Sequence, residues 1–367
     1  MKVNIEKWDV EDEGFWQSTG KKIANRNLWC SIPALLLAFS VWIMWGVLIK
    51  YMKEFGFNFG MTEGLTPGSD AYIAALAEVN NLYYTLPAIA GLAGATMRLP
   101  NSFLISLGGG RNVIFVTTAL LLIPAIGTGI ALSDINTPYL FFAAMAMFSG
   151  FGGGNFSSSM SNISFFFPKR MQGYSLGMNA GLGNLGVAVM QKLIPLVVTF
   201  SIFGGTAGAI ATAKGAPFEG LQNGAWIWVP LIGLATLGAF FGMNNVSTGT
   251  PSLPSTAKGV SKTVYMIVLG LLFAGLVAFL LVGVPWGDWG MKNAAMWIVL
   301  PIVIIVAVLL MKHATPGEIK SNLKKQFSIL GDKHNWIMTI IYTMTFGSFI
   351  GYSMVFPKLS QDIFVYT

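Results

Sequence analysis

The chain has few charged residues for its length. Charged side chains make up 10% of its 367 residues, apolar side chains make up 54%, and the mean hydropathy is +0.65. These charged residues are too few to cover the surface of a soluble protein of this size. The composition therefore indicates an all-α polytopic membrane protein in a lipid bilayer. The cations that give the net charge of +7 fall between apolar runs and form no basic patch, so nucleic acid is not an expected partner.

Cysteine and histidine are also scarce. The single cysteine, Cys30, excludes an internal disulfide and a cysteine zinc site. His313 and His334 flank a polar segment and are interpreted as solvated interface residues. The sequence contains no cluster of His, Asp and Glu, no phosphate loop and no nucleophile motif, so it predicts no cofactor, no metal and no enzyme. A membrane enzyme is the alternative that lacks any catalytic constellation.

The most distinctive stretch is 148–191, which is rich in Gly, Ser and Asn. We interpret it as two apolar helices joined by a turn at 168–170, which lipid tolerates because no water competes for the backbone hydrogen bonds. Glycines four residues apart, such as Gly150 and Gly154, predict close helix packing. Five amide side chains predict an uncharged polar stripe along which a polar solute would move. These are Asn155, Asn162, Asn179, Asn184 and Gln191.

Apolar runs and polar loops divide the chain into four parts. The first part is polar, and its Phe15 and Trp16 are expected on the membrane surface. Six spans follow, and then a linker that contains two inserted membrane helices and, at 316–333, an amphipathic helix. The boundaries are 1–28 for the N-terminal segment, 29–246 for the six spans, 247–333 for the linker and 334–367 for a last span. The excess of Lys and Arg in alternate loops predicts a cytoplasmic N-terminus in the inner (plasma) membrane.

Arg98 lies within a predicted span, with apolar residues on both sides. A central arginine costs roughly 2.5–3.5 kcal/mol on insertion scales. All 15 acidic residues can be placed outside the spans or at their edges, so Arg98 lacks an evident carboxylate partner. A mobile anion is therefore its candidate partner, and the planar guanidinium suits a small planar oxyanion. The alternatives are a hydrogen bond to a backbone carbonyl, such as one freed by Pro100, or snorkelling to the cytoplasmic interface.

Other candidates have structural alternatives. Lys192 is a second possible anion ligand, but it is also placed to snorkel toward the outer face. Four aromatic residues lie inside predicted spans, where they either pack a core or form uncharged faces around a weakly hydrated planar ion. These residues are Phe39, Phe156, Tyr342 and Phe346.

The run GFGGGNFSSSMSNISFFFPKRMQGYSLGMNAGLGNLG, which begins at Gly150, resembles the nitrate signature of the NarK-type nitrate/nitrite porters of the major facilitator superfamily. The resemblance continues in RNLW, MRLPNSF, WIWVP and TFGSFIGY. It implies two six-helix halves that alternate around a central anion site, with nitrate and nitrite as partners. It further implies that Arg98 grips the anion, that Asn184 and Ala180 line the site, and that Phe39 and Phe156 form its wall. Tyr342 and Phe346, in the seventh family helix, would close over the anion.

Three departures from the family pattern qualify this expectation. The Ala180 position is usually glycine, and the loop SLGGGRN lacks the acidic residue of the wider superfamily. The resemblance covers the N-terminal half and the seventh family helix, so a separate chain that supplies the remaining helices is a candidate partner, and residues 1–367 alone are not expected to transport. The two inserted helices fit nothing in the family plan and are candidates for binding lipid or a partner. A porter of another small anion or organic solute and a non-transporting anion-binding membrane protein remain alternatives.

Overall fold

The computed structural model contains helices joined mostly by short connections. It describes residues 3–200, 202–203, 210–211, 217–218, 220–283, 289–314, 320 and 327–364. The helices are α1 (Glu13–Phe15), α2 (Lys21–Ile43), α3 (Trp45–Glu54), α4 (Asp70–Gly108), α5 (Gly110–Ala119), α6 (Leu122–Leu132), α7 (Tyr139–Ser164), α8 (Gln172–Val197), α9 (Asn223–Trp226), α10 (Trp228–Gly242), α11 (Thr256–Ala278), α12 (Trp289–Ala314) and α13 (Lys333–Ile363). The strands are β1 (Asn4–Ile5), β2 (Ile210–Ala211), β3 (Pro217–Phe218) and β4 (Asn245–Val246).

Among the described residues, 7 helical stretches are long and apolar enough to cross a membrane. Helices α4 and α7 are long enough but carry more polar residues, and they lie inside the bundle against their apolar neighbours. The prediction of an all-α polytopic membrane protein is therefore confirmed. Helix α2 begins at Lys21, inside the predicted N-terminal segment 1–28. Most of the predicted amphipathic helix at 316–333 lies outside the described residues.

The predicted close packing is present at the glycine pair of α7 and absent at the predicted glycine pair of α8. A Cβ added to Gly150 would lie 2.6 Å from the Cβ of Ala93, and one added to Gly153 would lie 2.6 Å from the Cα of Gly94. Glycine at these positions therefore lets α7 lie directly on α4. Around Gly177 and Gly181 of α8, by contrast, an added Cβ meets no described atom within 4 Å. The second glycine pair thus packs against nothing in the described part of the chain.

The N-terminal residues 3–20 form a strap across the helix ends, and the prediction that Trp16 lies on the membrane surface is wrong. Trp16 is 2% exposed and packs against Phe167 in the α7–α8 connection. Trp8 is also buried, and its indole N–H donates to the Phe165 carbonyl at 2.9 Å. Strand β1 pairs in parallel with β4, so the strap also reaches the segment after α10.

The two inserted helices differ in how they pack. Helix α11 lies against α4, and Gly259 and Gly270 mark close approaches to Gly108 and Pro100. Helix α12 leaves most of its apolar side chains exposed, as lipid-facing helices do. The insertion therefore adds one helix to the bundle and a second helix outside it.

Candidate functional site

Arg98 lies in the C-terminal half of α4 and contacts α7 and α13. Its Nε donates to the Gly153 carbonyl at 3.1 Å, and its Nη1 donates to the Tyr342 hydroxyl at 3.1 Å. The alternative of a carbonyl partner is thus partly correct, but the carbonyl belongs to α7 and is not one freed by Pro100. Nη2 is buried and has no hydrogen-bond partner among the described residues.

The four predicted aromatic residues meet around this guanidinium. The Arg98 Cζ lies 4.5 Å from the ring centre of Phe346, 5.0 Å from that of Phe156 and 6.0 Å from that of Tyr342. Tyr342 and Phe346 are stacked at 4.9 Å with an interplanar angle of 8°. Phe39 is fully buried and contacts both Phe156, at 5.9 Å, and Phe346, at 6.3 Å. The rings stabilise the cation and leave flat apolar faces beside it.

Trp42 is the site residue that the sequence reasoning missed. Its ring centre lies 5.5 Å from the Arg98 Cζ, and its indole N–H donates to the Ala90 carbonyl at 2.7 Å. Gly94 and Gly153 make room for the indole, because a Cβ at either position would overlap it. The available signal was the spacing of three residues from Phe39, which places the two rings on one face of α2.

Asn184 and Ala180 are not joined to this cluster by any hydrogen bond in the described part of the chain. Both lie on α8 beside the face that packs on α2, where Gly183 meets Leu35. Both are half-buried, and the Asn184 Oδ1 is buried without a hydrogen-bond partner among the described residues. These two residues therefore stay predicted members of the site.

The predicted amide stripe is largely used for packing between helices. Asn155 donates to the Thr117 carbonyl at 3.2 Å, and Asn179 donates to the Ser159 hydroxyl at 2.9 Å. Asn162 is 2% exposed and lies against Gly110. Of the five amides, only Asn184 and Gln191 remain half-buried at a helix surface.

Helix α13 carries Tyr342 and Phe346, and its position depends on contacts beyond them. Only Ser353, Met354 and Lys358 of this helix are buried. A Cβ on Gly46 would lie 2.6 Å from the Met354 carbonyl, so glycine allows α3 and α13 to touch. A polar cluster further along the helix secures the same contact.

That cluster centres on Asp362. The fully buried Lys358 amine donates to Asp362 at 2.6 Å and to the Asn80 Oδ1 at 2.9 Å. The Tyr84 hydroxyl of α4 and the Lys53 amine of α3 also donate to Asp362, at 2.6 and 2.7 Å. The carboxylate therefore binds α13 to both α3 and α4, and this contact holds the two aromatic rings over Arg98.

The chemistry of the site favours a small anion. It contains one guanidinium with an unused N–H group, a phenol and four further aromatic side chains, and no carboxylate contacts Arg98 among the described residues. No cluster of His, Cys, Asp and Glu able to hold a metal occurs in the described ranges. A guanidinium binds planar oxyanions through parallel hydrogen bonds.

Sequence comparison finds transporters that are similar to this chain. The nitrate/nitrite transporter NarU of Escherichia coli (strain K12) is 40% identical over 268 residues, which cover 72% of this chain and 53% of NarU. NarU of Salmonella typhimurium is also 40% identical, over 271 residues. The probable nitrate/nitrite antiporter NarK2 of Thermus thermophilus is 30% identical over 364 residues, which cover 98% of this chain and 61% of NarK2.

The chain thus spans between 53% and 61% of the length of these curated relatives. No protein-family model matches it. The relatives are transporters and none is named as an enzyme. With the signature on α7 and α8 and the Arg98 cluster in the bundle, the chain is similar to the NarK-type nitrate/nitrite porters over most of its own length.

Proposed function

We propose that the chain carries the anion site of a nitrate/nitrite transporter that exchanges the two anions by alternating access. The observation that carries the proposal is the Arg98 guanidinium, whose Nη2 has no protein partner in the described structure and whose flanks are aromatic. The proposal is supported by the relatives, which are named nitrate/nitrite transporters and a probable antiporter.

In this proposal Arg98 supplies the charge, and the aromatic rings supply the selectivity. Nitrate and nitrite are planar and weakly hydrated, so flat apolar faces at Phe156 and Phe346 replace their water at little cost. Tyr342 shares its hydroxyl between Arg98 and the anion, and Asn184 contributes its amide from α8, next to Ala180. A tetrahedral, strongly hydrated anion would lose more hydration free energy on entering the site than its contacts with these rings would replace.

Exchange fits the distribution of titratable groups. In the described spans, Asp, Glu and His occur only toward the helix ends, so no side-chain proton relay reaches Arg98. Carrying one anion against a negative interior costs roughly 2.3 kcal/mol per 100 mV, and one-for-one exchange avoids this cost. We place the protein in the plasma membrane with a cytoplasmic N-terminus, and a separate chain could supply further helices.

The test is nitrate/nitrite exchange in proteoliposomes that contain the complete protein. We expect saturable exchange that Arg98→Ala abolishes. The control Arg111→Ala should leave the KM for nitrate unchanged, measured on the fraction of that variant that is folded. If another small anion competes with nitrate for uptake more strongly than nitrite does, the chain belongs to a porter of that other anion. Undiminished exchange by Arg98→Ala would refute the assignment of the site.

A further inference from the structure

A cavity whose wall contains two lysines lies apart from the central site. Its volume is about 460 Å³, and its walls come from α3, α8 and α13. Three of its polar wall residues are Lys50, Gln191 and Lys192. We propose that this cavity is a separate binding station for the same small monovalent oxyanions, which an anion occupies on its way to or from Arg98. The proposal rests on the transport function proposed above.

The position of the cavity supports its place on the route. Two of the helices that carry predicted site residues, α8 and α13, also line the cavity, and α3, which follows α2 after Met44, forms its third wall. In each case a cavity residue follows a site residue by seven or eight positions, or about 10–12 Å at 1.5 Å per residue. The pairs are Phe39 and Val47, Asn184 and Gln191, and Phe346 and Ser353. On each wall the cavity thus lies about two helical turns beyond a predicted site residue, on its C-terminal side.

The charge of the cavity supports an anion as its occupant. No Asp or Glu is among its lining residues in the described structure. The nearest acids along the chain are already bound, since Glu54 accepts from Gln361 at 2.9 Å and Asp362 accepts from three neighbours. Lys50 and Lys192 form no ion pair with a described carboxylate. Two lysines and one glutamine therefore line a space whose described wall contains no carboxylate.

Lysines suit a station better than a tight site. An ammonium is a strongly hydrated point charge on a flexible stem, so it attracts an anion without fixing its orientation. Weak binding is what a route requires, because an anion held too firmly would not move on to Arg98. The central site, with a planar guanidinium among rings, binds the same anion with defined orientation. The sequence left Lys192 between anion binding and snorkelling, and its place in the cavity wall beside Gln191 favours anion binding.

The direct test measures how nitrate protects the two amines in the unmodified protein. The purified complete protein is treated with an amine-acetylating reagent while nitrate replaces gluconate at constant ionic strength. Mass spectrometry then follows the acetylation of Lys50 and Lys192, with the exposed Lys22 at the opposite helix end as internal control. We expect nitrate to slow acetylation of Lys50 and Lys192 severalfold and to leave Lys22 unaffected. Arg98→Ala should retain this protection, because the station is a separate site.

Two results would overturn the proposal that the cavity is a binding station. Equal protection of Lys22, or protection of none of the lysines, would show that nitrate does not bind in the cavity. Loss of protection in Arg98→Ala would show that the amines report only the central site. Neither result bears on the transport function, which fails only if Arg98→Ala continues to exchange nitrate and nitrite.

A kinetic test separates an electrostatic from a structural role. The double variant Lys50→Gln with Lys192→Gln should raise the KM for nitrate about tenfold at low ionic strength, as expected when a charged cleft no longer concentrates its substrate. Its kcat should stay near that of the unmodified protein, and high salt should reduce the difference in KM. The matched variant Lys50→Arg with Lys192→Arg should restore the low KM. A fall in kcat with unchanged KM, or no rescue by arginine, would contradict the proposal.

Discussion

Replacement of Arg98 by lysine keeps the positive charge and removes the planar fork. In the structure one guanidinium donates to the Gly153 carbonyl and to the Tyr342 hydroxyl, and it retains the buried Nη2 for a ligand. A lysine amine has three donors on a single nitrogen and cannot reach all of these positions at once. We therefore expect Arg98→Lys to lose at least one charge-assisted hydrogen bond to the anion.

The expected magnitude follows from the value of that hydrogen bond. A hydrogen bond to a charged group contributes about 1.5–3 kcal/mol, which corresponds to a loss of affinity of about 10- to 150-fold. Nitrate binding to the purified protein in nanodiscs measures the Kd, and nitrate/nitrite exchange by the complete protein measures the KM. The thermal unfolding temperature should change little, because α4 remains packed on α7 through glycine contacts that do not involve Arg98.

Arg111→Lys is the matched control for this substitution. Arg111 is also buried, donates to the Phe240 carbonyl at 2.7 Å and lies 4.2 Å from the centre of the Phe240 ring. It lies at the start of α5, outside the site. Arg111→Lys should lower the unfolding temperature and leave the nitrate Kd unchanged. A folded Arg98→Lys protein with nearly unchanged affinity would refute the argument that the fork, and not the charge alone, binds the anion.

Three further predictions concern the supports of the site and the coupling. Asp362→Asn should weaken the contact that holds α13 by about 1.5–3 kcal/mol, because it leaves Lys358 without its carboxylate. Hydrogen exchange should accelerate in α13 and not in α7, and unchanged exchange in α13 would contradict this role. Gly153→Ala should destabilise the protein by about 1–3 kcal/mol in thermal melts, because the added Cβ would lie 2.7 Å from the Trp42 ring. Gly177→Ala should be neutral or slightly stabilising, because its added Cβ would meet no described atom within 4 Å. An imposed pH gradient should drive no nitrate uptake into proteoliposomes that contain no nitrite, and substantial uptake would argue for proton symport.

The sequence predicted features that depend on composition and on a single helix. The apolar runs located the spans, and the scarcity of acids identified Arg98 as a cation without a carboxylate partner. The resemblance to a known family assigned Phe156, Tyr342 and Phe346, and the structure brings these residues to within 4.5–6.0 Å of the guanidinium. The spacing of Gly150 and Gly154 predicted close packing correctly, but the same spacing at Gly177 and Gly181 did not, because spacing alone does not show whether another helix lies on that face.

The features that the sequence did not predict depend on contacts between distant segments. Trp16 has the composition of an interfacial anchor, but its burial depends on Phe167, which is far away in sequence. Trp42 looked like any apolar span residue, because its role depends on space made by Gly94 and Gly153 on two other helices. Single-helix periodicity cannot distinguish a lipid-facing ring from one that contacts a buried cation.

The same geometry bears on why the proposed transporter would exchange anions. With an anion bound, the Arg98 Nη2 would gain the acceptor that no described residue provides, and the charge beside the rings of Tyr342 and Phe346 would be neutralised. Without an anion, closure would remove an uncompensated guanidinium from water, and such desolvation costs several kcal/mol per ion. Each 1.4 kcal/mol changes a population by about a factor of ten, so a penalty of that size would make the closed empty carrier rare. A carrier that crosses readily only when loaded must return with a second anion, which is exchange.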